Sequence, residues 1–382
     1  MVNHSWRATW GCCLPVASAL FLCLYALALI IVGCDGGPAA TTVETATASG
    51  GSAATTAMAQ APTSFPEAAG AWTDLSPSGS LPAPRDSHSL VYDSTSAKVI
   101  LFGGWGGELL YFNDTWLYDP VANVWTELSP AGIVPGGRAF HKMVSDSRTG
   151  KVILFGGSRG EEEVLGDTWL YDPVTNAWTE LRPAGDVPPA RMDHALVYDA
   201  ADRRVILFGG WSGVTAFNDT WAYDPVKNTW TDLHPAGDLP PARDSHALVY
   251  DSDTGLIYLF GGFTEEVVGD MWLYDPAANT WSEIDPSGTM PAARDRHRMV
   301  YDPARHRVLL FGGWLGDYCV DETWAYDPAA NTWAELHPVG EHPSRRDSHA
   351  MVYDPGAGKV ILFGGVEPDA WTRFGDTWSY GD

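Results

Sequence analysis

The stretch from His141 to Leu181 reads HKMVSDSRTGKVILFGGSRGEEEVLGDTWLYDPVTNAWTEL. It divides into four short runs: His141 to Val144, Lys151 to Gly157 after a turn at 146–150, Asp167 to Asp172, and, after a Pro-x-x-Asn turn, Ala177 to Leu181. Short runs rich in Val, Ile, Tyr, Trp and Thr, separated by turn residues at even spacing, predict antiparallel hairpins. The core of the second run, Val-Ile-Leu-Phe, is apolar at every position, the pattern of a strand buried on both faces. A four-stranded sheet covered on both faces by copies of itself predicts a propeller blade.

The pattern recurs six times between Trp72 and the C-terminus with a period near 52 residues. Its tryptophans fall at Trp72, Trp125, Trp178, Trp230, Trp281 and Trp333, and an Arg-x-x-His element keeps the same register from Arg85-x-x-His88 to Arg346-x-x-His349. Independent markers in one register make each copy one unit of an array. The sixth copy reaches Asp382 without a fourth run, while Trp72-Thr73-Asp74-Leu75 stands alone before the first. The expectation is therefore an all-β, six-bladed β-propeller of four-stranded antiparallel blades. The N-terminal strand at about 71–75 pairs beside Thr377 to Tyr380 and closes the last blade, removing open edges.

The Gly-Gly doublet ending the second run, the tyrosine of the third and the tryptophan seven residues later (Tyr118 to Trp125, Tyr171 to Trp178) resemble the kelch repeat. More narrowly, the Arg-x-x-His and Asp-Thr-Trp-x-Tyr-Asp-Pro elements resemble the bacterial kelch type grouped with the galactose oxidase central domain. The resemblance covers residues 71–382 and implies a fold, not an activity.

Residues 1–33 read as a signal peptide or membrane anchor: Arg7 precedes an uncharged run from Gly11 to Gly33. Ile31-Val32-Gly33-Cys34 resembles the lipobox of bacterial lipoproteins, which implies lipidation at Cys34; a transmembrane anchor is the alternative, since the run is long enough to span a bilayer. Residues 34–70, rich in Ala, Thr, Gly and Ser, lack the large apolar side chains needed to fold and read as a linker. The expected place is the bacterial cell envelope, with the propeller outside the cytoplasm.

The formal charge of −25 disfavours nucleic acid and anionic lipid as partners. Cys319 is the single cysteine of the repeats, so no disulfide within the array is expected. A monomer is expected.

Elements present in every copy point to architecture rather than to a ligand. The six Arg-x-x-His pairs have two readings: a ring of imidazoles able to hold a metal, or arginines bonding carboxylates and carbonyls between blades, with histidines satisfied in the core. The structural reading is adopted, with no metal site, cofactor or catalytic residue expected. Gly156-Gly157-Ser158-Arg159-Gly160 matches the nucleophile-elbow pattern literally, but no helix follows it.

The segments between the second and third runs vary in length and content, and strand parity puts them on one face. Variable loops on a rigid scaffold are where binding concentrates. They supply the candidate ligand-binding residues Trp105, Glu108, Tyr111, Trp211, Phe263, Glu265, Glu266, Trp314, Tyr318 and Trp371. Aromatic faces beside carboxylates suit sugar rings or cationic side chains. The expected function is an envelope-tethered binding module for a glycan or protein partner. The alternatives are a carbohydrate-acting or copper-radical oxidase, for which Tyr318-Cys319 is thin support, and a structural envelope protein.

Overall fold

A computed structural model describes residues 70–160 and 163–381. The readings made for residues 1–69, including Cys34, lie outside the described residues.

Six four-stranded antiparallel sheets follow one another along the chain. In blade one the strands, from the axis outward, are Ser89–Asp93, Lys98–Phe102, Thr115–Asp119 and Val124–Leu128. The innermost strand of each blade touches the innermost strands of both neighbours, so the six form a closed circle. Closure occurs as expected: Ala71–Asp74 pairs with Thr377–Gly381 in the register Trp72 to Tyr380 and Asp74 to Trp378, completing blade six.

The all-apolar second strand has a simple cause. Val99, Ile100, Leu101 and Phe102 are fully buried, but alternate side chains leave the sheet on opposite faces. Val99 and Leu101 pack with Ile361 and Phe363 of blade six, whereas Ile100 and Phe102 pack with Trp169, Tyr171 and Trp178 of blade two. Six such apolar layers separate the blades, and each fully buried Val, Ile, Leu or Phe contributes about 1.5–3 kcal/mol.

The glycine doublet is required where blades meet. Gly103 and Gly104 have φ of 67° and 104°, values that favour glycine. A Cβ at Gly103 would lie 2.8 Å from the Arg138 carbonyl, and one at Gly104 would lie 2.8 Å from the His88 Cβ. The Gly104 amide meanwhile donates to the Arg138 carbonyl at 2.8 Å, and every blade repeats this bond to the next.

The fourth-strand tryptophans also bind across blades. Indole Nε1 of Trp125, Trp178, Trp230, Trp281 and Trp72 donates to Thr377, Thr115, Thr168, Thr220 and Thr323 of the preceding blade, at 3.0–3.2 Å. Blade four carries Met271 at the threonine position, and the Trp333 indole nitrogen is buried with no partner among the described residues. A comparison of two substitutions follows from this. Trp281→Phe, which strands the Thr220 hydroxyl, should cost about 1 kcal/mol more than Trp333→Phe in urea unfolding; equal costs would refute the role given to the threonine.

One expectation needs correction. The third strand of blade two begins at Val164 rather than Asp167, and in blades two and four the second and third strands continue beyond the blade as tight hairpins, Lys151–Ser158 with Val164–Asp172 and Ile257–Phe263 with Val267–Asp275. The segments between the second and third runs of these two blades, 158–166 and 263–269, expected as variable loops, are thus partly ladder. The β-branched Val164, Val267 and Val268 favour extension, and a register shift absorbs the extra residues.

Candidate functional site

The Arg-x-x-His element sits in the link that enters each innermost strand, on the same face as the loops between strands two and three. Backbone bridges join the two: Asp86 pairs with Trp105, Met192 with Trp211, Asp244 with Phe263 and Asp295 with Trp314. The residue after Gly-Gly is therefore anchored to the residue after the arginine.

Each arginine is fully buried. The Arg85 guanidinium donates from Nη1 to Gly103 O (2.9 Å) and Asp114 Oδ1 (2.6 Å), and from Nη2 to Asp114 Oδ2 (2.7 Å). Asp114 also accepts from Trp116 Nε1 at 2.7 Å. The arrangement recurs with Asp167, Asp219, Asp270 and Asp376, while Glu322 takes the place in blade five. The architectural reading of the arginines is correct in kind but not in location: the guanidinium locks its own blade, and the arginine backbone bridges to the preceding one.

Each histidine packs edge-on against the Phe-Gly-Gly phenylalanine of the preceding blade, His141 on Phe102 at 5.6 Å and His349 on Phe311 at 5.5 Å. Burial, with the neighbouring arginine second, holds His141 and His194 well below the usual imidazole range, so they are neutral. The Phe102 backbone lies within reach of the His141 ring, and the histidines serve chiefly as aromatic packing.

Between arginine and histidine lies a feature that sequence reasoning missed. Ser87, Phe140, Asp193, Ser245, Arg296 and Ser348 all adopt φ between 52° and 59°. Their backbones form a closed circle of hydrogen bonds: Ser87 N donates to Ser348 O (2.8 Å), Phe140 to Ser87 (2.9 Å), Asp193 to Phe140 (3.0 Å), Ser245 to Asp193 (2.9 Å), Arg296 to Ser245 (2.8 Å) and Ser348 to Arg296 (3.0 Å). A non-glycine residue in this region costs on the order of 1 kcal/mol or more and persists where its surroundings over-determine it. The circle supplies that constraint and makes a rigid rim around the axis.

The rim is acidic. Asp86, Asp295 and Asp347 are buried, whereas Asp193, Asp244 and Arg296 are half-buried. Burial first, then the Asp193 carboxylate, pushes Asp244 up to about 7, and burial pushes Asp86 up to about 6 despite Arg373 beside it. The Arg296 guanidinium is held charged by Asp295, Asp347, Asp193 and Asp244 around it. Because Asp244 titrates higher in the folded chain than in the unfolded one, the folded state binds the extra proton between about pH 4 and 7, and this contribution to stability is lost as pH rises through 7. Asp244→Asn is therefore expected to raise the melting temperature at pH 8 relative to the parent, with the gain shrinking toward pH 5; a gain independent of pH would contradict the assignment.

Kelch sequences match over nearly all of this architecture. The family description "KLHDC2/KLHL20/DRC7 Kelch-repeats domain" fits residues 46–253 and 200–381. The chain belongs to the kelch-repeat family. Among curated relatives it is 26% identical over 320 residues to Kelch domain-containing protein 3 of Bos taurus and of Homo sapiens, covering 76% of this chain and 80% of each relative. It is also 26% identical over 317 residues to Mei4-dependent protein 6 of Schizosaccharomyces pombe, covering 74% of this chain but only 45% of that protein.

In this kelch propeller the ten residues proposed from sequence all lie in the loops of the rim face, in three different settings. Trp105 is buried, stacked on Tyr111 at 6.4 Å, its Nε1 donates to the Glu108 carbonyl at 3.1 Å, and it faces Arg373, whose guanidinium lies 4.2 Å from the ring centroid while its Nε donates to Asp86 at 2.7 Å. Trp211, Phe263 and Trp314 are half-buried beside the rim. Glu108, Glu265, Glu266, Tyr318 and Trp371 are exposed. Arg373 and the rim aspartates were not among the sequence candidates; the signal that could have found the aspartates is the variable pair of residues inside an otherwise invariant Arg-x-x-His, whereas Arg373 lies in the last variable loop.

Cys319 is a free, buried thiol that donates to Asp347 Oδ2 at 3.4 Å. Adjacent Tyr318 is exposed, and no cluster of three metal-ligating side chains exists among the described residues. These residues do not fit a copper centre of the cross-linked tyrosine–cysteine type.

Proposed function

We propose that this kelch propeller is a protein-interaction module whose rim face receives a cationic segment of its partner. Kelch propellers generally bind protein partners. The observation that carries the charge preference is the pair Asp193 and Asp244, half-buried on adjacent blades of a rigid rim, where Arg296 offsets the effect of Asp193 on Asp244 only in part. A guest guanidinium or ammonium offsets the remaining repulsion, and the desolvated rim strengthens the attraction. The exposed Glu108, Glu265 and Glu266 extend the acidic field outward and steer approach.

Fluorescence anisotropy with a labelled oligo-arginine peptide tests this. Binding is expected to weaken with salt and to fall about tenfold or more in the Asp193→Asn, Asp244→Asn double variant. Equal affinity of parent and variant would defeat the proposal. A second reading, glycan binding, is favoured by the exposed rings of Tyr318 and Trp371, 49% and 48% accessible; loss of glycan-array signal on Trp371→Ala is its test.

We further propose that the N-terminal segment carries the chain to a cell envelope of the bacterial kind and that Cys34 is its lipid attachment. The apolar run from Gly11 to Gly33 and the Ile31-Val32-Gly33-Cys34 tetrapeptide support this, as does the resemblance to the bacterial galactose-oxidase-type kelch repeat. Intact-mass analysis decides it: a diacylated N-terminal Cys34 is expected, and an unmodified Met1 terminus would overturn it.

A further inference from the structure

Beneath the rim, the innermost strands enclose an axial cavity of about 170 Å³ lined by His88, Ser89, Lys142, Ala195, Ala247 and Arg298 among others. The first position of the innermost strand is Ser89, Lys142, Ala195, Ala247, Arg298 and Ala350 in blades one to six. Lys142 and Arg298 thus occupy blades two and five, which stand three places apart in a closed circle of six and face each other across the axis.

We propose that this cavity is a binding site for a small oxyanion, held between the Lys142 ammonium and the Arg298 guanidinium. Neither cation forms a salt bridge among the described residues; Arg298 Nη1 donates to the His297 carbonyl at 3.1 Å. The remaining first positions are small, so the space between the two cations is not filled by side chains, and Ser89 Oγ, bonded to His141 O at 3.0 Å, adds a hydroxyl to the wall. Both residues are half-buried and line the cavity. Burial first, then Arg298, brings Lys142 down to about 7, and the Asp193 carboxylate offsets this only in part, so the two cations keep positive charge that an anion on the axis would balance. A tetrahedral oxyanion occupying the axis would accept from both, and charge-assisted bonds of this kind are short and strong. The volume admits a phosphate-sized guest together with water.

This site lies inside the ring, and Asp244→Asn leaves its two cations and their Asp193 neighbour in place, so it is separable from the rim face. The full chain is titrated with inorganic phosphate at constant ionic strength, following melting temperature and heat of binding. A saturable rise in melting temperature is expected for the parent. Lys142→Met and Arg298→Met should each weaken it about tenfold or more, the value of one charged hydrogen bond, and Lys142→Arg should retain it. Lys142→Met removes an unpaired buried charge, so its fold is expected to persist, with near-ultraviolet circular dichroism as the check. Because the chain carries a net charge of −25, adventitious phosphate on its surface is disfavoured. No saturable response in the parent, or an undiminished response in both folded methionine variants, would overturn the proposal.

Discussion

Deleting residues 71–76 is expected to abolish cooperative melting of the propeller. The segment contributes a whole strand, registered from Ala71 with Gly381 to Asp74 with Trp378, and it carries Trp72 into the layer between blades five and six. There the indole packs on Phe311 at 4.9 Å and Tyr380 at 5.1 Å, and Nε1 donates to Thr323 Oγ1 at 3.0 Å. The point substitution Trp72→Ala isolates the side chain and should cost about 3–5 kcal/mol, as for other buried Trp truncations. The deletion should cost more, because it also exposes the edge of Thr377–Gly381 and leaves its backbone groups unpaired. A deletion variant that melts at the parent temperature would show that the ring does not depend on this closure.

Arg191→Met is the second large effect. Arg191 donates from Nε to Pro189 O (3.1 Å), from Nη1 to Gly209 O (2.9 Å) and Asp219 Oδ1 (2.6 Å), and from Nη2 to Asp219 Oδ2 (2.7 Å), with its guanidinium 4.0 Å from the centroid of Phe217. Removing it leaves the Gly209 carbonyl without that donor and the Asp219 carboxylate without its cation, with the Trp221 indole still donating to it at 2.8 Å. A loss of about 3 kcal/mol is expected, at the lower end for a broken buried pair because Asp219 retains some access to water. Arg191→Lys should recover little, since an ammonium cannot span both carboxylate oxygens and the carbonyl. Adding Asp219→Leu to Arg191→Met should recover part of the loss by removing the stranded charge. A single variant within about 0.5 kcal/mol of the parent, the range of an ordinary surface substitution, would mean the lock is dispensable.

Much of this fold is legible in the chain because its determinants are local and repeated. Val-Ile-Leu-Phe announces a strand buried on both faces, and the unpaired Trp72 strand announces the closure. What escaped the reading has physical causes. The guanidinium partner of Arg138 is Asp167, 29 residues away, and spacing alone does not say whether such a bond stays within a blade or crosses to the next. The continued hairpins of blades two and four turn on a register shift at Leu165 to Thr168 that no single residue marks. The rim was hidden inside the invariant motif: Phe140, Asp193 and Arg296 share one backbone conformation with three serines, so their side chains vary freely while the circle of amides stays fixed. The loop residues chosen for their chemistry are on the face expected of them, but Trp105 is occupied by Arg373, a contact between the first and last blades that depends on ring closure.

The chain divides into parts that repeat and build the ring, and parts that vary on one face, where a partner is proposed to bind. Amide hydrogen exchange of the whole chain with and without a saturating oligo-arginine peptide tests that division most directly. Slower exchange is predicted in the loops 105–113, 263–269, 314–322 and 366–375 and in the links carrying Asp193 and Asp244, with the turns of the opposite face, such as 119–124, unchanged. Protection centred on those opposite turns, or none anywhere at saturation, would contradict it.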